Sequence, residues 1–348
     1  MNKLSIKDIC QIIWELEDKY DLLDLEIDGV KPWQYRRMVI YYELANKANV
    51  IETPHQKMSK FSHLRSLFGY LVNSVKKNPF LQKKADVLII PNERTKEFKN
   101  QQVDIYTHFL VEELKNQGDK VIELERPYLG KHNKRKDITR SHADFFILAS
   151  NLFKKLVRIN KHQHAYDVIK KVESELANRL SVSINLREIL TDGTQRFKIN
   201  YWLYKQLLKK TKVNKVFCII GYSYGDLIKA CKDLSVDVIE LQHGTLSKYH
   251  LGYSFPERKR PLDYFPDQVY VWSERWANII DWPIEPNKIK IRKFDYLESM
   301  KNNYPNVIRK KNKGVIISQG ALTDNIASFI LNNFHLFNKF ELTYKLHP

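Results

Sequence analysis

Cysteine is scarce: Cys10, Cys218 and Cys231 are the only three in 348 residues. They lack metal-ligand spacing and are too few for a disulfide framework, which excludes a zinc module and a stapled secreted domain. Cys218 falls in an apolar strand pattern and Cys231 in a helical one, so both read as small core residues in a reducing cytoplasm. Long apolar runs are also missing. Lys7, Asp8, Glu15 and Glu17 interrupt the N-terminus MNKLSIKDICQIIWELEDKY, unlike the core of a signal peptide. No stretch approaches the ~18 apolar residues of a membrane span, so any membrane association is expected to be peripheral. Motifs are absent too. Without paired C-x-x-C or H-E-x-x-H, the zinc-module and zincin classes have no support. No Asp-x-Asp occurs, and the nearest approach, Glu26-Ile27-Asp28, falls in a helical region. A metal-bridged nucleotide site usually needs such a carboxylate pair, so no metal is expected.

Basic charge is abundant. Lys and Arg total 58 against 40 Asp and Glu, a net charge of +18. That excess implies an anionic partner, whether nucleic acid, anionic lipid or a phosphate-bearing substrate. The hydrophobic fraction of 43% is enough for a full core, and the mean hydropathy of −0.47 suits a soluble chain.

Helical spacing marks residues 5–23, a second helix from Trp33 to Leu44 and a basic, aromatic third over Phe61–Val75. Asp28–Gly29 reads as a turn. Ala85–Ile90 is a buried strand, followed by the loop NERTKEFKNQ, a helix from about Val103 to Gln117 and a strand at Val121–Leu124. The basic run KHNKRKDITR (131–140) reads as an exposed loop. Residues 145–210 are mostly helical, broken by a turn at Asp192–Gly193. His162-x-His164 has the spacing of a ligand pair, but lysines surround it and no acidic third ligand is near in sequence.

The most informative stretch is VDVIELQHGTLSKYHLG (236–252). A strand at Val216–Ile220, a helix at Asp226–Leu234 and a strand at Val236–Leu241 form one parallel crossover. The second strand then ends at the carboxyl edge of the sheet, where open α/β sheets bind ligands. His243 is the candidate catalytic base there. Gln242, Gly244 and Thr245 are candidate substrate contacts, with Gly221 and Ser223 from the turn GYSYG at the end of the preceding strand. His250, seven residues on, should matter much less than His243.

Strands at Gln268–Trp272 and Ile289–Ile291 follow. A further crossover begins at Gly314, with VIISQG, a helix from Thr323 and the strand ELTYKLHP. Ser318, Gln319, Gly320, Lys345 and His347 are its candidate phosphate contacts. The expected organisation is an N-terminal helical region (1–83), a doubly wound Rossmann-like α/β domain (84–300), a linker (301–313) and the incomplete start of a second Rossmann-like domain (314–348).

The segments IELQHGTLSKYHLGYSFP, DQVYVWSERW and TYKLHP resemble bacterial glycosyltransferases of capsule and other surface polysaccharide synthesis. GVKPWQYRRMVIYYEL and DVLIIPNERTKEFKNQQVDIYTHFLVEEL are similar to the acceptor-side half of that group. The His-Gly-Thr and Lys-x-His-Pro signatures are more distantly similar to those of teichoic-acid-type polymerases. The resemblance covers most of residues 10–348. It implies a GT-B fold of two facing Rossmann-like domains, with His243 facing the cleft and Lys345 and His347 facing the donor's phosphates. RKFDYLE after Ile291 departs from the glycine-containing turn usual at that hinge.

The expectation is a metal-independent transferase. It takes a nucleotide sugar as donor substrate, uses no cofactor, and acts on a glycan or lipid-linked glycan at an anionic inner membrane face. A nucleic-acid-binding protein and a non-catalytic accessory protein that keeps the fold are the alternatives. Lysines spread along the whole chain, with no recognisable nucleic-acid motif, weaken the first. An intact QHG turn weakens the second.

Overall fold

The computed structural model describes residues 4–51, 60–92, 95–128, 131–132, 140–160, 162–256, 261–301, 311–318 and 323–346, without the side chains of 60–66. Helix α1 (Ile6–Lys19) opens with a capping box between Ser5 and Asp8 and buries Ile9, Ile12, Ile13 and Leu16. Asp28 and Gly29 form the tight turn between Ile27 and Val30, so the Glu26–Asp28 pair lies outside any helix. Pro32 then begins α2 (Pro32–Lys47), where its missing N–H costs nothing. Helix α3 is Lys60–Lys76.

The first strand, β1 (Val87–Ile90), leads into a β2–β3 hairpin (Lys96–Phe98, Gln101–Val103) where the sequence reads as a loop. Val103 therefore belongs to a strand, and α4 starts later than expected (His108–Asn116). Then come β4 (Val121–Glu125), β5 (Arg140–His142), α5 (Asp144–Phe153), α6 (Gln163–Leu180) and α7 (Leu186–Thr211). The turn expected at Asp192–Gly193 is instead the interior of α7. Lys154, Arg196 and Arg36 all pair with Asp192. Gly193 leaves room for the Arg36 side chain, whose Cγ would lie 2.5 Å from an added Cβ. Tertiary packing overrides the local turn signal here.

The chain continues through β6 (Lys215–Ile219), α8 (Gly225–Lys232), β7 (Asp237–Leu241), β8 (Gln268–Val271), α9 (Glu274–Asn278), β9 (Ile289–Ile291) and α10 (Asp295–Lys301). Last come β10 (Lys313–Ile317), α11 (Thr323–Asn332) and β11 (Glu341–Lys345). Residues 302–310 of the expected linker lie outside the described residues, as do 133–139 of the basic run. At the end of that run, Arg140 is a buried strand residue and not part of an exposed loop.

Seven strands form one parallel sheet in the order β5-β4-β1-β6-β7-β8-β9. Alternate residues of each strand serve opposite faces. Leu88, Ile90, Val216, Cys218 and Val238 pack with α5, α7 and α8. Val87, Ile89, Phe217, Ile219 and Ile239 pack with α4. Cover on both faces explains why the central strands read as unbroken apolar runs. The fold is a Rossmann-like α/β sheet flanked by helices. Strands β10 and β11 pair in parallel as a separate two-stranded sheet.

Helices α1 and α2 share one apolar core with residues 246–280. Arg37 of α2 fastens that core. It bonds both oxygens of Glu17 at 2.7 Å and donates to the Leu251 and Ser254 carbonyls. Its guanidinium lies 3.9 Å from the Phe255 ring centroid. This ion pair holds the loop that follows β7.

Candidate functional site

The order of strands reverses between β1 and β6, a topological switch point, and ligands bind at the carboxyl ends beside such points. His243 stands one strand further on, just past β7. Buried Gln242 fixes its position. The Gln242 Nε2 donates to the Gly244 carbonyl at 2.7 Å, and its Oε1 accepts from the Trp272 N–H at 2.9 Å. Gln242 thus ties the turn to the end of β8, with both ends of its amide engaged by backbone. Gly244 has open space where a Cβ would stand, and Thr245 is exposed.

Beneath His243 lies a chain of polar groups that a motif search does not find. Glu240, fully buried in β7, accepts at Oε1 from the Gly221 N–H (2.9 Å) and from the Tyr253 hydroxyl. The Tyr253 oxygen in turn lies 3.3 Å from His243 Nδ1. Because Tyr253 gives its proton to Glu240, its oxygen accepts from Nδ1–H. That tautomer leaves the Nε2 lone pair of His243 for a ligand. Burial pushes Glu240 up to about 7, against the bonds from Tyr253 and Gly221. Its Oε2 is buried without a hydrogen-bond partner among the described residues. Burial, with a smaller contribution from His250, lowers His243 to about 4, so its imidazole is neutral at neutral pH.

Aromatic rings wall this station. Tyr106, Phe294 and Trp272 lie nearly parallel, with Trp272 and Phe294 centroids 4.6 Å apart, and Tyr106 meets His243 edge-on. On the other side stand Tyr222, Tyr253 and His250. His250 belongs to this same wall. Its Nδ1 accepts from the Gly252 N–H, and burial lowers its pKa to about 4.

Gly221 and Ser223 occupy the turn after β6. A Cβ on Gly221 would run into Glu240 Oε2 and come within 3.0 Å of Pro266 Cγ, so the glycine makes room for Glu240. Ser223 lines a cavity of about 400 Å³ whose wall also carries Arg36, Arg126, Arg196 and Asp226. Tyr222 lines this cavity, and its ring centroid lies 6.5 Å from that of His243.

The candidate phosphate contacts are described in part. Gln319, Gly320 and His347 lie outside the described residues. Ser318 is buried at the end of β10, its Oγ 2.6 Å from Thr323 Oγ1 and its N–H donating to the Lys345 carbonyl at 2.9 Å. Lys345 is exposed at the end of β11. These two come together on the two-stranded sheet, apart from the strand that carries His243.

A second polar cluster sits at the ends of β4 and β5. The His132 ring bridges two carboxylates, with Nδ1 3.0 Å from Glu125 Oε1 and Nε2 2.7 Å from Asp144 Oδ2. His142 stacks on His132 with centroids 3.6 Å apart. Arg140 pairs with Glu123 and with the other oxygen of Glu125. Burial opposes the charge on His132, but the Asp144 and Glu125 bonds outweigh it and raise the ring to about 9. Burial and the neighbouring His132 charge lower His142 to about 4. Sequence spacing draws attention to His162-x-His164 instead. There, His162 Nε2 accepts from the Asp28 N–H at 3.0 Å, and an acid absent from the local sequence does lie near, with Asp28 Oδ1 at 3.7 Å.

No protein-family model matches the chain, and comparison with curated proteins gives no match.

Proposed function

We propose that the chain belongs to a glycosyltransferase of GT-B architecture that moves a sugar, or a related phosphate-linked unit, from a nucleotide-activated donor to a growing surface glycan. The observation that carries this reading is the Glu240–Tyr253–His243 relay at the carboxyl edge of a Rossmann-like sheet. His243 Nε2 takes the acceptor hydroxyl's proton as that oxygen attacks the anomeric carbon. The bond to the leaving phosphate breaks, and its electrons pass to the phosphate oxygen. The imidazolium formed is stabilised by Glu240 through Tyr253. A donor phosphate close to His243 raises its pKa from about 4 toward the working range, because an anion favours the charged ring. Ser318 and Lys345, with Gln319, Gly320 and His347, are the donor-phosphate contacts in this scheme. Gln242 shapes the turn, while Gly244 and Thr245 line the approach to His243.

A lipid-linked acceptor at an anionic inner membrane face fits the charge of +18. It also fits exposed Phe68, Leu71 and Val75 on α3, which packs against α5, whose end exposes Leu152 and Phe153. Among the described residues no helix is long and apolar enough to cross a membrane.

The test is transfer from a panel of nucleotide sugars by the intact gene product. His243→Ala should lower kcat by roughly 10²–10⁴-fold, the range for loss of a general base. Near-full turnover in a normally folded His243→Ala protein would refute the assignment.

A further inference from the structure

The geometry points to a zinc-class divalent cation site formed by Glu125, His132 and His142 at the ends of β4 and β5, separate from the His243 station. One carboxylate oxygen and two imidazole nitrogens from these residues all lie within 4.8 Å of one another. Two nitrogens and one oxygen form a donor set suited to Zn²⁺ or Co²⁺, and a fourth position stays open to water or another ligand.

The surroundings are those of a supported ligand shell. His132 bonds Glu125 through Nδ1 and Asp144 through Nε2. When an ion replaces the proton shared by Nδ1 and Glu125, the Nε2–H···Asp144 bond remains. It fixes the tautomer and ring direction, as carboxylates behind metal-bound histidines do. Asp144 is itself held by Asn73 Nδ2 at 3.2 Å. Arg140 engages the Glu125 oxygen that faces away from His132. His142 Nδ1 is buried and has no hydrogen-bond partner among the described residues, a costly state for a ring nitrogen unless an ion occupies it.

The imidazole planes are 6° apart, so sharing an ion at about 2.0–2.1 Å requires the rings to fan open about their Cβ–Cγ bonds. Arg126 and Ala143, the chain neighbours of Glu125 and His142, line the 400 Å³ cavity, so the ion would stiffen one wall of it.

The experiment uses the full chain, tag removed and purified without chelator. Elemental analysis should find about one equivalent of zinc. Stripping and titration with Zn²⁺ by calorimetry should restore it, and Co²⁺ should give the visible bands of a low-coordinate site. Asp144→Asn should weaken affinity roughly 10–100-fold as an outer-shell change, His142→Ala should weaken it further, and His164→Ala should leave it unchanged. The wild-type protein alone can overturn the proposal. No zinc on isolation, no binding heat and unshifted His132 and His142 imidazole resonances on adding Zn²⁺ would do so. Loss of zinc in His164→Ala with retention in His142→Ala would also overturn it.

Discussion

Glu240 and His243 differ by three positions, yet only His243 is conspicuous in the sequence. A glutamate inside an apolar strand pattern reads as an irregularity. It becomes meaningful only when folding brings Gly221 and Tyr253 to it from separate segments. The same reasoning reinterprets Gly221, whose missing side chain serves Glu240. Gly221→Ala should destabilise the fold by about 1–3 kcal/mol, the usual cost of overpacking, as read by urea denaturation. Glu240 also sets a pH dependence. Its folded pKa of about 7 lies above the ordinary 4.5, so the folded chain holds this proton more tightly than the unfolded one. That stabilisation is complete below about 4.5 and disappears as pH rises through about 7. His243 and His250 act oppositely. Lowered to about 4 from 6.5, they favour folding above 6.5, and that contribution is lost as pH falls. Glu240→Gln should therefore gain stability relative to the parent as pH rises from about 5 to about 8. A constant offset between the two proteins across that range would show that Glu240 does not titrate there.

The central strands are legible because burial on both faces makes each one a continuous apolar run. The crossover from β6 through α8 to β7 is likewise readable from glycine placement and strand length. Elements shaped by distant partners are not. Helix α7 runs through an Asp–Gly pair because Lys154, Arg36 and Arg196 neutralise the aspartate and Arg36 fills the space beside the glycine. The buried Arg37–Glu17 pair is similarly invisible, since neither residue stands out in an amphipathic pattern. Its importance is clear from its position: it joins α1, α2 and the loop after β7. Glu17→Ala should cost about 3–5 kcal/mol, as expected when a buried charge loses its partner. Hydrogen exchange should speed up around Leu251–Ser254 as well as in α1. An effect confined to α1 would mean that Arg37 does not organise the loop.

For the molecule as a whole, composition predicts an anionic partner, and the structure adds a surface where α3 and α5 expose apolar side chains. Vesicles containing anionic lipid should bind the chain, with affinity falling steeply as salt rises. Phe68→Asp with Val75→Asp should weaken that binding while leaving the melting curve intact. Equal binding to neutral and anionic vesicles would reject the charge argument. The order of strands has a further consequence, one of time. Val87 of β1 pairs on one side with Val121 and on the other with Lys215. As the chain leaves the ribosome, β1 and β4 can meet early, but the other edge of β1 must wait while α5, α6 and all of α7 are made. Until β6 emerges, the future centre of the sheet is an unpaired apolar edge. A newborn chain is thus most exposed to misassembly just before its midsection is finished, and a pause in translation after α7 would lengthen that interval.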